Sequence, residues 1–385
     1  MEQRKILFVD HTAVLGGAEL SLVDLAFAYR RSSQVLLFND GVLRLRLEKL
    51  GVPVKVAEAT QQMLKLRTSG GLNALKTIPE LWRLAERLAV EAQGFDLIHA
   101  NSQKAFIVAA LATLKGSPPI VWYLHDIITA KHFSSINRRI VVALANRFAA
   151  KVLVNSQATG KAFVAAGGKE SLVSVVYNGF NCDRFDRISE TEIQQVRDSL
   201  GIDDRNNKIL VGLFSRLSYW KGQHILLMAI KNLPQVHAIL VGDALFGEDE
   251  YVSYLKTLAN EPEFTGRVHW LGFRDDIPTL MKACDIIAHT STEPEPFGRV
   301  IVEGQLAQKP VIASAAGGAL ELIQEGITGL LFSSGDEIDL QEQIQKLIEN
   351  STFSQTLAQQ GYHSAKTNFA LENILESFDR ALAAI

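Results

Sequence analysis

The sequence predicts an α/β protein built from two doubly wound domains, and three observations carry that expectation. Short apolar, β-branched runs alternate with longer amphipathic segments along the chain, the pattern of parallel strands joined by crossover helices. At 385 residues the chain is too long for one compact core and suits two of roughly 180 residues each. Midway, the turn cluster Asn178-Gly179-Phe180-Asn181 breaks the alternation and leads through a polar stretch into a new helix at 191–200.

The first domain, 1–185, carries strand candidates at 5–10, 34–38, 52–56, 96–100, 120–124, 151–155 and 173–177, separated by helical stretches such as 18–29, 72–92, 103–114 and 137–149. The second, 186–367, carries strands at 208–214, 237–242, 268–271, 286–289 and 310–313. The tail, 368–385, places Phe369, Leu371, Ile374, Leu375, Phe378 and Leu382 on one helical stripe. Two such domains facing across a cleft would bring two sets of strand carboxyl ends together, where open α/β sheets take their ligands.

Composition narrows the function. Apolar residues make up 47% and charged residues 21%, a globular balance. Apolar runs stop near ten residues, whereas a spanning helix needs about 20. Met1 leads through charged residues straight into a strand with no signal-type apolar region, so the expected place of action is the cytoplasm or the cytoplasmic face of a membrane. Cys182 and Cys284 lack metal-ligand spacing and read as small packed side chains, which excludes a disulfide framework. Residues 1–185 hold 23 Lys and Arg against 14 Asp and Glu, while residues 186–385 hold 16 against 28. A basic first half suits an anionic partner, or is simply a solvated surface; Lys65, Arg67 and Lys76 around Met63, Leu64, Leu66 and Leu72 could lie on an anionic membrane.

The strongest motif is Glu295-Pro296-Phe297-Gly298-Arg299-Val300-Ile301-Val302-Glu303-Gly304, which follows a buried strand and a polar loop and opens a helix. Gly298 lets backbone approach a ligand closely. Beyond Phe297 and Gly298, the helix start at Arg299 and Val300 turns unpaired N–H groups outward, a ready site for a diphosphate. Glu303, one turn in, can accept both hydroxyls of a ribose, and Glu295 can accept from sugar hydroxyls. The second motif is Leu213-Phe214-Ser215-Arg216-Leu217-Ser218-Tyr219-Trp220-Lys221-Gly222.

Two glutamates seven residues apart, with Pro-Phe-Gly after the first, resemble the donor-site signature of the retaining glycosyltransferases of family 4. The segments Pro310-Val311-Ile312-Ala313, Gly317-Gly318, Glu321 and Gly326-Ile327-Thr328-Gly329-Leu330-Leu331-Phe332 extend the resemblance. It implies the GT-B fold, two Rossmann-like domains across a cleft. Arg216 and Lys221 would then bind the donor diphosphate and neutralise the leaving group without a metal; Ser215 stands where a glycine is usual. Arg267-Val268-His269-Trp270-Leu271-Gly272-Phe273 is similar to the strand and turn that hold the nucleobase, with Phe273 at its end. Gly16 and Gly17 resemble the loop that closes over the donor, and His125, with Asp126 after it, matches a histidine beside the donor sugar. A lone His is more often structural, and His125 draws its interest from its place at the end of a strand. Asn101-Ser102 and Asn155-Ser156 read first as helix caps.

The expected activity is hexosyl transfer, with UDP-glucose as the favoured donor and no cofactor. The acceptor would be a saccharide or lipid-linked saccharide in bacterial or cyanobacterial exopolysaccharide or envelope-polysaccharide assembly; no nucleic-acid partner is expected. Retention without a placed carboxylate nucleophile favours a front-face route, in which the departing phosphate takes the acceptor proton. The rivals are an epimerase-like enzyme acting on nucleotide sugars and an inactive sugar-nucleotide binding protein. The missing GxGxxG spacing argues against a dinucleotide enzyme.

Overall fold

The computed structural model describes residues 4–60, 78–129, 134–202, 207–245 and 247–385. The chain divides into two compact units, one of Met1–Gly179 with Leu371–Ile385 and one of Phe180–Ala370.

The first unit holds β1 (Ile6–Asp10), β2 (Ser33–Leu37), β3 (Val54–Val56), β4 (Leu97–Ala100), β5 (Ile120–Leu124), β6 (Ala149–Val154) and β7 (Val173–Val175). They form one parallel sheet in the order β3-β2-β1-β4-β5-β6-β7. Strand order reverses between β1 and β4, so the loops leaving these two neighbours run to opposite faces and open a crevice at their carboxyl ends. Every residue of β1, β4 and β5 is buried, because helices cover both faces of the sheet. One face packs Leu7, Val9, Phe106 and Trp122, with the Phe106 and Trp122 rings stacked at 4.6 Å. The other packs Phe8, Leu22 and Tyr123 against Ile374, Phe378 and Leu382 of the tail helix Leu371–Ala383.

The second unit holds β8 (Ile209–Phe214), β9 (Val236–Val241), β10 (Val268–Gly272), β11 (Ile286–His289), β12 (Val311–Ser314) and β13 (Leu330–Phe332). They are again parallel, in the order β10-β9-β8-β11-β12-β13, with the reversal between β8 and β11. β13 was not anticipated: three residues after Thr328-Gly329 are too short to separate from loop, and only pairing with β12 makes them a strand.

The divisions expected at 185/186 and 367/368 fall at Gly179/Phe180 and Ala370/Leu371. The short helix Asp183–Asp186 belongs to the second unit, where Phe185 is buried and the helix lies against Ile277–Ala283. Phe369, placed on the tail stripe by its spacing, instead closes the helix Ser351–Phe369 and packs in the second unit at 5.9 Å from the Phe297 ring. Ala370 turns extended, bridges Phe180 and restarts the helix at Leu371. Of the helix expected at 72–92, Ile78–Glu91 is described. The basic group of Lys65, Arg67 and Lys76 and its apolar neighbours lie outside the described residues. Among the described residues no helix is long and apolar enough to cross a membrane.

Candidate active site

In the second unit β8 ends at Phe214 and β11 at His289, and these strands are neighbours at the reversal. Their loops therefore start from adjacent strand ends. The first carries Ser215, Arg216 and the single turn Tyr219–Lys221; the second carries Ser291 and Glu295. The Thr292 N–H donates to the Trp220 carbonyl at 2.8 Å, and the Thr290 hydroxyl donates to the Lys221 carbonyl at 2.8 Å. Gly222 sits in the left-handed region, and a Cβ there would lie 2.0 Å from the Thr290 carbonyl oxygen, so only glycine lets the loops close this far. From the other side the Gly318 N–H donates to the Glu295 carbonyl at 2.8 Å, while a Cβ on Gly317 would stand 2.3 Å from that same oxygen.

This clamp delivers Glu295 to Lys221. The ammonium reaches both carboxylate oxygens, at 2.8 and 2.7 Å, with the two side chains only 15% and 14% exposed. The Ser291 hydroxyl donates to Oε2 at 2.8 Å, and His289 Nε2 stands 3.3 Å from the same atom. Burial by itself would push the Glu295 carboxyl up; the charge of Lys221 and the contact with His289 outweigh it and hold the group well below the usual carboxylate range. His289 and Ser291 were not singled out from the sequence, since both precede the motif that begins at Glu295.

Trp220 was quoted in the motif without a role. Its ring centroid lies 4.1 Å from Lys221 Nζ and 5.6 Å from the Arg216 guanidinium carbon, so one indole supports both cations. Ser215 is accounted for as well: buried Gln223 donates to its hydroxyl at 2.9 Å and to the Arg216 carbonyl at 2.9 Å, and Tyr251 in turn donates to Gln223. Phe297 is buried and stacks at 6.3 Å on Phe180. Gly298 caps the helix Arg299–Leu306, which has Val300 in its first turn. Glu303 is not a bare acceptor, because Arg299 Nη2 from one turn earlier approaches it to 3.5 Å, with the guanidinium carbon 4.4 Å over the Phe180 ring. Phe273, 57% exposed, follows the edge strand β10, and its N–H donates to the Asp243 carboxylate at 3.1 Å. Asp243 thereby ties the ends of β9 and β10 together.

The remaining expected residues belong to the first unit. Gly16 caps the helix Gly17–Ala28, and its N–H donates to Glu19 at 2.9 Å. His125, just past β5, places Nε2 at 3.0 Å from the Asn101 amide oxygen. Asn101 is therefore no helix cap, and that duty falls to Ser102 and Ser156 alone. Glu19 is a carboxyl near other carboxylates: burial first, then the charge of Asp10, push it up to about 8. Among the described residues no three His, Cys, Asp or Glu side chains gather in the manner of a metal site.

Two outcomes follow from this geometry. Glu295→Gln leaves a mostly buried ammonium without its counter-charge and should cost about 3–5 kcal/mol in urea unfolding, most of it recovered in the Lys221→Met/Glu295→Gln double variant. A single variant within about 0.5 kcal/mol of wild type would mean the pair is only a surface contact. Glu19 ionises near its ordinary value when unfolded but keeps its proton to about pH 8 when folded, so its stabilising share is complete at low pH and lost as pH rises through about 8. Glu19→Gln, which cannot ionise, should match wild type near pH 4 and gain on it steadily toward pH 8. Parallel pH–stability curves would contradict this.

Known proteins share both the fold and the site-bearing segments. Residues 15–184 match the model of Glycosyltransferase Family 4, and residues 192–364 match that of Glycosyl transferases group 1. HepE of Anabaena, in crystals with UDP and glucose, superposes with a TM-score of 0.90 at 43% identity, covering all of both chains. A HepE crystal with UDP-glucose gives 0.89 at 44% identity, again over all of both chains. An uncharacterised glycosyltransferase of Methanocaldococcus jannaschii is 30% identical over 285 residues, 72% of each protein. LpsE, a lipopolysaccharide core biosynthesis glycosyltransferase of Rhizobium meliloti, is 29% identical over 164 residues, only 43% of this chain and 46% of that protein. With two family models spanning most of its length and a full-length relative of the same architecture, the chain belongs to glycosyltransferase family 4 and carries the GT-B fold.

Proposed function

We propose that this chain transfers glucose from UDP-glucose, with retained stereochemistry, to a hydroxyl of a saccharide or lipid-linked saccharide in polysaccharide assembly, at the cytoplasm or the cytoplasmic face of a membrane. One observation carries the choice of donor: HepE, similar over the full length, was crystallised with UDP-glucose. The basic excess of residues 1–185 suits an anionic acceptor carrier or membrane surface.

In this reading the bond from the sugar C1 to the β-phosphate oxygen breaks, and the acceptor oxygen bonds to C1 on the same face. The acceptor proton passes to the departing phosphate. Charge grows on the diphosphate as it leaves, and Arg216, Lys221 and the N–H groups opened at Arg299 and Val300 stabilise it there. Lys221 is already fixed by Glu295 and Trp220, so little reorganisation accompanies the reaction. Glu295, gripped by Lys221 and Ser291 with His289 close by, is poorly suited to attack C1 and better suited to accept from a sugar hydroxyl. Glu303 takes the ribose and the backbone near Phe273 takes the uracil; Gly16, Gly17 and His125 are further donor contacts in this reading. No metal enters the scheme.

Release of UDP from UDP-glucose, followed without acceptor and then with saccharide acceptors, tests the proposal. Turnover should persist in EDTA, and Arg216→Ala should lower kcat about 100- to 1,000-fold, the scale for loss of one charge-stabilising donor. No release from any UDP-sugar, or turnover abolished by EDTA, would contradict it.

A further inference from the structure

The turn after β8 is held from two directions. On either side of Arg216 the backbone is tied to the end of β9 and the residues after it: the Ser215 N–H donates to the Val241 carbonyl at 3.0 Å, and the Leu217 N–H to the Asp243 carbonyl at 2.9 Å. A Cβ on Gly242 would stand 2.1 Å from the Ser215 carbonyl oxygen, so these two segments lie in direct contact. From within, fully buried Gln223 sends Nε2 to the Arg216 carbonyl and to the Ser215 hydroxyl, each at 2.9 Å. Ser215 stands where a glycine is usual, and its hydroxyl accepts the second N–H of that amide. Gln223 Oε1 faces the Tyr251 hydroxyl at 3.0 Å. That hydroxyl lies 2.9 Å from His224 Nδ1 and 3.3 Å from the His224 backbone nitrogen. The His224 ring stacks at 4.7 Å on Tyr219, in the single turn that carries Lys221.

These partners leave one arrangement of protons. The Arg216 carbonyl can only accept, so the amide end beside it is the NH2 group and the other end is the oxygen. An amide oxygen never donates, so the Tyr251 hydroxyl gives its one proton to Gln223. Burial pushes that hydroxyl up, and it stays protonated. With its proton committed, the hydroxyl oxygen can only accept from the His224 ring, so Nδ1 carries the proton. Burial holds the His224 imidazole below its usual value, so near pH 8 the ring is neutral with its lone pair on Nε2. A chain of donors thus runs one way, from His224 through Tyr251 and Gln223 to the Arg216 backbone.

We propose that Gln223 and Tyr251 are positioning residues, which hold the Ser215–Arg216 turn so that the Arg216 guanidinium meets the departing diphosphate. Gln223 touches the backbone of Arg216 and leaves its charge alone, so it acts on the reaction only through where the guanidinium stands. Loss of a fixed orientation costs rate, because the charge must then be brought into place as the bond breaks. The role in turnover rests on the glucosyltransferase reading above; the placement of the protons does not.

The test has two arms. The first is a long-range proton–nitrogen correlation spectrum of the full chain labelled with 15N-histidine, near pH 8, with the His224 signals identified by their loss in His224→Asn. The wild-type ring should show the neutral Nδ1–H pattern. In the second, Tyr251→Phe, which deletes one hydroxyl, should lower kcat for UDP-glucose about 10-fold, the scale of one orienting hydrogen bond. In an Arg216→Ala background the same change should cost less than about twofold, because no guanidinium is left to misplace. Gln223→Met, which keeps the length and loses both ends of the amide, should repeat the pattern. A wild-type Nε2–H ring would overturn the proposal whether or not any variant folds. So would a folded Tyr251→Phe chain with unchanged kcat, or equal losses with and without Arg216, the mark of a merely structural role. An Nδ1–H ring in a chain that turns over no nucleotide sugar would remove the catalytic role while upholding the hydrogen-bond assignment, so the two failures are distinguishable.

Discussion

A mostly buried ammonium and a mostly buried carboxylate are each costly alone, and the loops after β8 and β11 hold one of each. Taking either from water costs several kcal/mol, and only close mutual contact with further hydrogen bonds offsets that. Lys221 and Glu295 meet the requirement at 2.7 and 2.8 Å, with Ser291 donating to the carboxylate. Much of the local backbone follows from it. Gly222 and Gly317 are glycines because the loop bearing Glu295 passes too close for a side chain on either side. Trp220 is placed so that its ring supports the same ammonium.

The two sheets solve a common problem alike. Each reverses strand order beside its first strand, and each places a carboxylate at the carboxyl edge next to that reversal, Asp10 on β1 and Glu295 beyond β11. Burial pushes both carboxyls up, and neighbouring donors and charges more than compensate. In both units the result is a polar group fixed before any ligand arrives: an ammonium on Glu295 and an imidazole on Asn101. Preorganised groups of this kind are worth more to a reaction than mobile ones, because their orientation costs nothing during the chemical step.

Most strands were legible because strands covered on both faces read as unbroken apolar runs. β13 was not, since three residues give no period to read. The tail helix was recognised, but Phe369 continues its apolar stripe while belonging to the other unit, a distinction made by the extended backbone at Ala370. The Glu295 and Glu303 motif stood out through its Pro-Phe-Gly context, yet their partners did not. Nothing in a single sequence says that residue 221 meets residue 295, or that Arg299 meets Glu303. Asn101 read as a cap because its composition fits one; the buried Asp10 beside it draws the amide away.

The central claim is that fixed cations beside β8 grip a diphosphate. Calorimetric titration of UDP and of uridine into wild type and into Lys221→Met/Glu295→Gln tests it most directly, because the double variant removes the cation without stranding a charge. The account predicts that UDP binding weakens about 10- to 100-fold, the scale of one charge-assisted hydrogen bond, while uridine binding stays within about twofold. Equal weakening of both ligands, or none for UDP, would contradict it.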